Sequence, residues 1–218
     1  MHATWQFHLF RRITRALLWC LLRVRVEGLE NVPRTPYIAC VNHLGWAEGF
    51  IVMLWFPPEP LIHGLGERDV MERSAFRRWF FKQVPIFLPL ERDKPRQAVR
   101  AMQDVLQRGG ALGLAPEGKL GTQEGALGEL QAGAAYLSIR TGAPLVPVGA
   151  TGTLELWLWK KVTLRVGKAI LPGEFAGDFR TRTRAMTRRL DRELRALLPG
   201  DAPPPRVKLL RNFLTKLF

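Results

Sequence analysis

The stretch 37–50, YIACVNHLGWAEGF, joins an apolar run to the polar pair Asn42-His43 and then to a second apolar run. Short apolar runs bounded by turn-forming residues are typical of buried strands. We therefore expect a strand at 37–41 and a helix at 46–55, which Pro57 and Pro58 end. This pattern places Asn42 and His43 at the carboxyl end of a buried strand.

The alternation of strand and helix signals continues along the rest of the chain. Strands that alternate with helices predict a layered α/β architecture, and 218 residues suffice for one domain with a sizeable core. The sequence thus predicts a single α/β domain in which helices flank a mixed sheet. Further strands are expected at 24–26, 61–65, 86–90, 111–114, 145–148, 154–159 and 162–166, and further helices at 75–82, 96–108, 130–140 and 179–198.

Both ends of the chain predict basic amphipathic helices. At 5–22 apolar residues recur with a helical period, while Arg11, Arg12 and Arg15 occupy other faces. Segment 206–218 repeats this pattern after the proline-rich stretch 199–205. Such helices either lie in the headgroup layer of a membrane or pack on their own domain with a solvated polar face.

The chain is strongly basic, with 33 Lys and Arg against 19 Asp and Glu and a net charge of +14. Such an excess favours an anionic partner, either a lipid surface or a nucleic acid. Nucleic acid is the less favoured partner, because no nucleic-acid-binding motif is visible and aromatic residues do not alternate with the arginines at 180–195. That run is typical of a solvated helix face, with contact to anionic lipid as the alternative.

Several classes of protein are disfavoured by absent sequence patterns. No apolar run approaches the ~20 residues that span a bilayer, so we expect no membrane-spanning helix. Cys20 and Cys40 form no CxxC pair, which disfavours a metal site or disulfide framework and fits a reducing compartment. Neither Ser74 nor Ser138 lies in a Gly-x-Ser-x-Gly turn, which disfavours a serine hydrolase.

His43 is the strongest candidate for acid–base chemistry. Imidazole titrates near neutrality, so it can take a proton from a hydroxyl nucleophile. Glu48 follows just inside the expected helix, and a carboxylate can hold the second ring nitrogen in the required tautomer. A second motif, Ala115-Pro116-Glu117-Gly118, follows the strand at 111–114. Proline fixes φ and glycine permits a close turn, so Glu117 and exposed backbone amides are expected to line a pocket.

These motifs, with two others, resemble those of the glycerolipid acyltransferase family. The chain has His-x4-Glu where the family has His-x4-Asp, and Pro89-Leu90-Glu91-Arg92 where the family has a block ending in Pro-Leu-x-Arg. The family's Pro-Glu-Gly-Thr-Arg appears as Pro116-Glu117-Gly118-Lys119-Leu120, and Val146-Pro147-Val148 matches a family strand. The resemblance extends from residue 30 to about residue 153. Within it, Ile86 replaces a usual Gly and Gln131 a common Lys.

The resemblance implies an enzyme that moves a fatty acyl chain onto a hydroxyl of a lysophospholipid or glycerol phosphate. His43 would be the general base and Glu48 would orient it, while Arg92 and Lys119 would hold the acceptor phosphate. The donor would be an acyl-coenzyme A or acyl carrier protein thioester, with no metal, no cofactor and no acyl-enzyme. The remaining predicted substrate-binding residues are Asn42, Pro116, Glu117 and Gly118.

On this interpretation, 1–24 is a membrane-surface helix, 25–200 the acyltransferase domain, and 201–218 a second amphipathic helix behind a proline hinge. We expect a peripheral protein on the cytoplasmic face of a membrane that contains anionic lipids. One alternative is an amino-acid-derived lysolipid acceptor, because the usual Thr-Arg pair is absent. The other is a non-catalytic basic binder of anionic membranes or nucleic acid on a decayed acyltransferase core.

Overall fold

The computed structural model of the chain describes residues 4–83, 86–91, 93–198 and 208–216. Helices and strands alternate along it, so the predicted α/β class is confirmed. The strands are β1 (Leu22–Glu27), β2 (Ile38–Val41), β3 (Ile62–Glu67), β4 (Phe87–Leu90), β5 (Ala111–Leu114), β6 (Leu145–Thr151) and β7 (Lys160–Val166). The α-helices are α1 (Trp5–Leu21), α2 (Ala47–Trp55), α3 (Arg68–Glu72), α4 (Ala75–Gln83), α5 (Pro95–Gln107), α6 (Gly133–Thr141), α7 (Phe179–Ala196) and α8 (Arg211–Thr215).

A seven-stranded sheet in the order β1-β7-β6-β2-β5-β3-β4 forms the centre of the protein. Neighbouring strands are parallel except for the antiparallel pair β6 and β7, so the sheet is mixed, as predicted. β2 lies between β5 and β6, and all four of its residues are buried. A strand covered on both faces has a continuous apolar sequence, which is why 37–41 could be identified as a strand.

Helices cover both faces of this sheet. α1, α2 and Leu214 of α8 belong to one apolar cluster, whereas α5, α6 and α7 contribute to a second cluster. β2 serves both clusters, because Ala39 and Val41 belong to the first and Ile38 and Cys40 to the second. α1 and α7 therefore lie in different layers, with the sheet between them.

The carboxyl ends of β2, β5 and β6 meet at one edge of the sheet, because these three strands run parallel. The connections that leave β2 and β5 run in opposite directions along the sheet. After β2 the chain passes through α2 to β3, whereas after β5 it passes through α6 to β6. Such a divergence opens a crevice at the carboxyl ends of the strands, where α/β proteins bind ligands. His43 follows β2 and Glu117 follows β5, so both candidate motifs lie at this edge.

Residues 154–159 form a loop between β6 and β7 where the sequence predicts a strand. The C-terminal segment occupies the backbone groups that a neighbouring strand would use. The Leu156 N–H donates to Thr215 Oγ1 (3.0 Å), and the Leu158 N–H donates to Leu209 O (2.8 Å). An apolar run does not reveal partners this distant in sequence.

The two terminal helices differ in how closely they follow the prediction. α1 agrees with the predicted segment 5–22, whereas within the described part of the predicted segment 206–218, residues 208–216, α8 covers Arg211–Thr215. Leu210 adopts a left-handed conformation (φ 59°) directly before α8, so the helix does not extend toward residue 208. The proline-rich stretch 199–205 lies outside the described residues. Among the described helices we find none whose length and hydropathy would suffice for a bilayer crossing.

Candidate active site

The imidazole of His43 lies beside the carboxylate of Glu48 at the carboxyl end of β2. His43 Nδ1 is 2.8 Å from Glu48 Oε1. The Glu48 side chain is fully buried, whereas the His43 side chain is 39% exposed. A carboxylate on Nδ1 holds the proton on that nitrogen and leaves Nε2 as the proton acceptor. The pair that the sequence predicts is therefore assembled with the geometry of an oriented base.

Glu48 is held in place by backbone donors as well as by His43. The N–H groups of Leu44 and Gly45 donate to the same Oε1 atom, at 2.7 and 2.8 Å. Glu48 also lies in the first turn of α2, where the helix dipole stabilises a negative charge. These contacts show how the longer Glu side chain folds back onto the histidine.

The loop after β5 holds the backbone of His43 through Glu117. Glu117 Oε1 accepts from the His43 N–H (3.0 Å), and its Oε2 accepts from the Gly128 N–H (2.7 Å). On the other side of the residue, the Gly121 N–H donates to the His43 carbonyl oxygen (2.6 Å). Both backbone groups of His43 are thus fixed by one loop, while Glu48 fixes its ring.

Two glycines allow this loop to fold tightly over His43. Gly118 has φ +67°, a left-handed conformation that L side chains rarely adopt. A Cβ on Gly121 would lie only 2.9 Å from Leu44 Cδ2. The Gly118 N–H donates to Ala115 O (3.1 Å), so this amide closes the turn and does not face a substrate. The turn itself agrees with the sequence prediction, whereas the pocket-lining role predicted for its backbone amides stays a prediction.

Asn42 makes an internal connection where the sequence predicts a substrate contact. Its side chain is fully buried. Nδ2 donates to Ala150 O (3.0 Å), and Oδ1 accepts from the Ala150 N–H (2.6 Å). Because both ends of the amide are occupied, Asn42 joins β2 to β6 and fixes the strand end that carries His43.

Pro116 and Glu117 likewise face the protein interior and not an open substrate pocket. Pro116 is buried, and its carbonyl accepts from the Gln131 N–H (2.7 Å). Glu117 is 4% exposed, with both oxygens hydrogen-bonded. Gly118, Lys119 and Leu120 are the exposed residues of the motif. Lys119 lies two residues before Gly121, whose N–H donates to the His43 carbonyl oxygen. It is the cation of this loop that is nearest in sequence to that hydrogen bond.

Arg92, the other predicted phosphate ligand, lies outside the described residues. Its predecessor Glu91 accepts from Arg68 Nε (3.1 Å) and from Lys94 Nζ. The hydrogen bond from Lys94 is the main reason why the pKa of Glu91 lies below its ordinary value. The carboxylate of Glu91 is therefore already paired with the cations Arg68 and Lys94.

Glu124 is a structural residue of the site that sequence reasoning missed. Its Oε1 accepts from the Gly152 N–H (2.7 Å), and its Oε2 accepts from the Leu154 N–H (3.2 Å). It thereby ties the loop after β5 to the end of β6. The sequence marks it only as one of three glutamates in a glycine-rich loop.

The site can act as a base toward a hydroxyl that reaches Nε2 of His43. In the part of the chain that the structure describes, no group of three or more His, Cys, Asp or Glu side chains could hold a metal ion. The described groups in hydrogen-bond contact are His43, Glu48 and Glu117, with Lys119 exposed on the adjoining turn.

Comparison with known sequences gives consistent matches. A family model described as Acyltransferase matches residues 23–151, more than half of the chain. The 1-acyl-sn-glycerol-3-phosphate acyltransferase of Saccharomyces cerevisiae is 28% identical over 140 residues, which are 62% of this chain and 45% of the yeast protein. The protein of the same name from Pseudomonas aeruginosa is 26% identical over 134 residues, 58% of this chain and 49% of the relative. The matched part thus spans less than half the length of either relative.

Comparison with solved structures gives the same fold. The crystal structure of the 1-acyl-sn-glycerophosphate (LPA) acyltransferase PlsC from Thermotoga maritima matches with a TM-score of 0.69. The match covers 90% of this chain and 81% of that protein, at 18% sequence identity. The sheet and its flanking helices are therefore shared by the two proteins.

Proposed function

The chain belongs to the acyltransferase family, and on that premise we propose that it transfers a fatty acyl group from an acyl thioester to a hydroxyl of a 1-acylglycerol-3-phosphate-type acceptor. One observation carries this proposal: the exposed imidazole of His43 is held at Nδ1 by the buried carboxylate of Glu48. The names of the similar proteins supply the class of acceptor.

The proposed reaction uses His43 as a general base and then as a general acid. Nε2 takes the proton of the acceptor hydroxyl while the oxygen attacks the thioester carbonyl. Glu48 stabilises the imidazolium that forms. Collapse of the tetrahedral intermediate breaks the carbon–sulfur bond, and the imidazolium returns its proton to the departing thiolate. The acyl chain passes directly between substrates, so no protein nucleophile is needed.

The acceptor phosphate is assigned to Lys119 together with Arg92. The exposed position of Lys119, on the loop that clamps His43, supports this assignment. A guanidinium binds phosphate through two parallel hydrogen bonds, whereas an ammonium acts as a point charge. Lys119 occupies the position of the Thr in the family's Thr-Arg pair. We therefore expect the acceptor headgroup to be the part of the substrate that differs most from the substrates of the family.

The acceptor is proposed to arrive from a membrane surface on the cytoplasmic side. α1 presents Trp5, Leu9, Ile13 and Leu17 to solvent at four-residue spacing, while Phe7 and Leu18 pack inward. This exposed apolar stripe, with the nearby cations Arg12 and Arg15, has the composition of an interfacial helix. Segment 1–24 is thus proposed as the main membrane contact.

The C-terminal segment 201–218 is proposed as a second contact beside the active site. Leu209, Leu210 and Phe213 are exposed. The indole N–H of Trp46 donates to Leu214 O (3.0 Å), which places α8 next to the loop that follows His43. A lysolipid held at this surface would therefore meet the catalytic edge of the sheet.

A product assay tests the proposed function against the alternative of a non-catalytic binder. Purified protein is incubated with isotope-labelled acyl-coenzyme A or acyl carrier protein and a panel of acceptors: lysophosphatidic acid, glycerol 3-phosphate and an amino-acid-derived lysolipid. Mass spectrometry then identifies the product. We expect acylated lysophosphatidic acid. Salt-sensitive vesicle binding without any acylated product would contradict the enzyme and support the binder.

A further inference from the structure

The solvent face of α7 carries a row of exposed arginines. Arg180, Arg184, Arg188 and Arg192 recur every four residues and are exposed; we call them the α7 arginine stripe. None of the four forms an ion pair with a carboxylate among the described residues. Like charges at four-residue spacing destabilise a helix. The stripe is therefore unfavourable for the isolated fold.

The other arginines of α7 have partners, which sets the stripe apart. Arg189 Nε is 2.7 Å from Glu193 Oε1, and Arg195 Nε is 2.9 Å from Asp191 Oδ2. Both pairs have four-residue spacing on the same helix. The two carboxylates of α7 are therefore already paired with Arg189 and Arg195, and the four arginines of the stripe are left without one.

Two adjoining clefts follow the stripe along the surface. One of about 380 Å³ is lined by Arg180, Arg184 and Arg188. Arg188 also lines a larger cleft of about 870 Å³, together with Arg192, Leu130, Phe175 and the paired side chains of Asp191 and Arg195. At the start of α7, Phe179 and Tyr136 of α6 are partly exposed and stack edge to face at 5.3 Å. Arginine and aromatic side chains together are typical of protein interfaces.

The larger cleft adjoins the loop that holds the catalytic histidine. Its wall residues Glu129 and Leu130 directly follow Gly128, whose N–H binds Glu117. Glu117 in turn binds the His43 N–H. The hydrogen bond that Arg195 donates to Asp191 raises the pKa of Arg195, and the charge of Glu117 adds to this effect. A partner on the stripe would therefore lie beside the active-site loop.

A membrane is a poor candidate for this surface. α7 packs on the sheet through Met186, Leu190 and Leu194, in the layer opposite to α1. The exposed apolar stripe of α1 faces away from the other layer. A flat bilayer that lies on the outward face of α1 would not reach α7, which leaves the stripe to a partner from the aqueous side.

We propose that the α7 arginine stripe docks an acidic acyl carrier protein that delivers the acyl thioester. An acidic protein surface complements four guanidinium groups that form no ion pair within the described part of the chain, and electrostatic complementarity sets the orientation and rate of docking. A carrier bound here would present its thioester arm beside the loop of Glu117 and His43. This inference rests on the proposed acyl transfer, for which it selects the donor.

Binding of a fluorescently labelled, arm-free acyl carrier protein tests the docking separately from catalysis. The variant R184E/R188E is compared with R96E/R100E, which reverses two exposed arginines at the same spacing on α5 in the same layer. We expect at least a tenfold weaker affinity for R184E/R188E, an affinity that falls with added salt in wild type, and little change for R96E/R100E. The neutral variant R184Q/R188Q is expected to show a smaller loss. Circular dichroism confirms folding of each variant.

Steady-state kinetics with both acyl donors and vesicle binding test whether the effect of the stripe is specific to the carrier protein. R184E/R188E is expected to raise KM for acyl carrier protein thioester while KM for acyl-coenzyme A and binding to phosphatidylglycerol vesicles stay within twofold of wild type. Equal losses in the α5 and α7 variants, equal losses with both donors, or a loss confined to vesicle binding would each overturn the docking site. Absence of turnover with either donor in wild type, with carrier binding intact, would instead refute the proposed acyl transfer.

Discussion

At the scale of single residues, the ring and the backbone of His43 are held by different carboxylates. Glu48 binds Nδ1 of the ring, and Glu117 binds the backbone N–H. Asn42 fixes the preceding strand end through its two bonds to Ala150. Glu48 is expected to stabilise the positive charge of the proposed base, His43, whereas Glu117 and Asn42 fix the position of its backbone. Substitutions of Glu48 and of the other two residues are therefore expected to have different effects.

Replacing Glu48 by Gln should lower kcat by about 100-fold or more, because a neutral amide does not stabilise the imidazolium or fix the tautomer. Replacing it by Asp should cost roughly tenfold, since the charge stays but the reach shortens by about one bond length. Steady-state kinetics with the thioester that proves active measures both. Equal activity of the Gln variant and wild type would show that Glu48 does not orient the base.

Replacing Glu117 by Gln should lower both stability and kcat. An amide offers one acceptor in place of two, so either the His43 N–H or the Gly128 N–H loses its partner. An unsatisfied buried donor costs about 1–3 kcal/mol in the free energy of unfolding. Denaturant unfolding checks this, with E129Q on the exposed part of the same loop as the control. Identical unfolding midpoints for E117Q and E129Q would argue against the clamp.

At the scale of elements, His63 makes β3 sensitive to acid. It is 3% exposed, its Nδ1 lies 3.0 Å from Leu61 O, and burial lowers its pKa below the ordinary value. Below about pH 6.5 the unfolded chain therefore binds a proton at this residue that the folded chain does not. The resulting loss of stability grows as the pH falls, by up to about 1.4 kcal/mol per pH unit, until the folded-state pKa is reached.

The His63 prediction is checked by unfolding wild type and H63Q between pH 5 and pH 8. The difference between the two free energies of unfolding isolates His63 from the other titrating groups. We expect H63Q to show the flatter profile below about pH 6.5. Parallel profiles for the two proteins would mean that His63 titrates equally in the folded and unfolded states.

The outward stripe of α1 predicts membrane binding that is separable from folding. Leu17 is 59% exposed, so L17E should leave thermal stability nearly unchanged. Loss of one inserted leucine and addition of a charge should weaken vesicle binding by roughly tenfold or more. The control is L171E, a similarly exposed leucine outside α1. Equal vesicle affinity of the two variants would show that α1 is not the membrane contact.

At the scale of the whole molecule, the sheet separates two basic surfaces and carries the catalytic edge between them. α1 and α8 lie on one side, and α7 lies on the other. The two proposed partners, a membrane with the acceptor and a carrier protein with the donor, would therefore approach from opposite layers.

Local patterns were enough to predict the α/β class, the strand that carries His43, and the contact between His43 and Glu48, which are five residues apart. Contacts distant in sequence were not predictable. Glu117 reaches His43 across 74 residues, and Asn42 reaches Ala150 across 108. For that reason Asn42 and Glu117 were predicted to bind substrate, although folding buries both inside the protein. The loop at 154–159 differs from its predicted strand for the same reason.

The central claim is that His43 is the base, and the turnover of H43A tests it most directly. Purified H43A and wild type are assayed with saturating acyl thioester and lysophosphatidic acid, with melting curves to confirm that both are folded. We predict that kcat falls about 10²- to 10⁴-fold in H43A at an unchanged melting temperature. A folded H43A that retained roughly a tenth or more of wild-type kcat would contradict the assignment, because loss of a general base removes more than that.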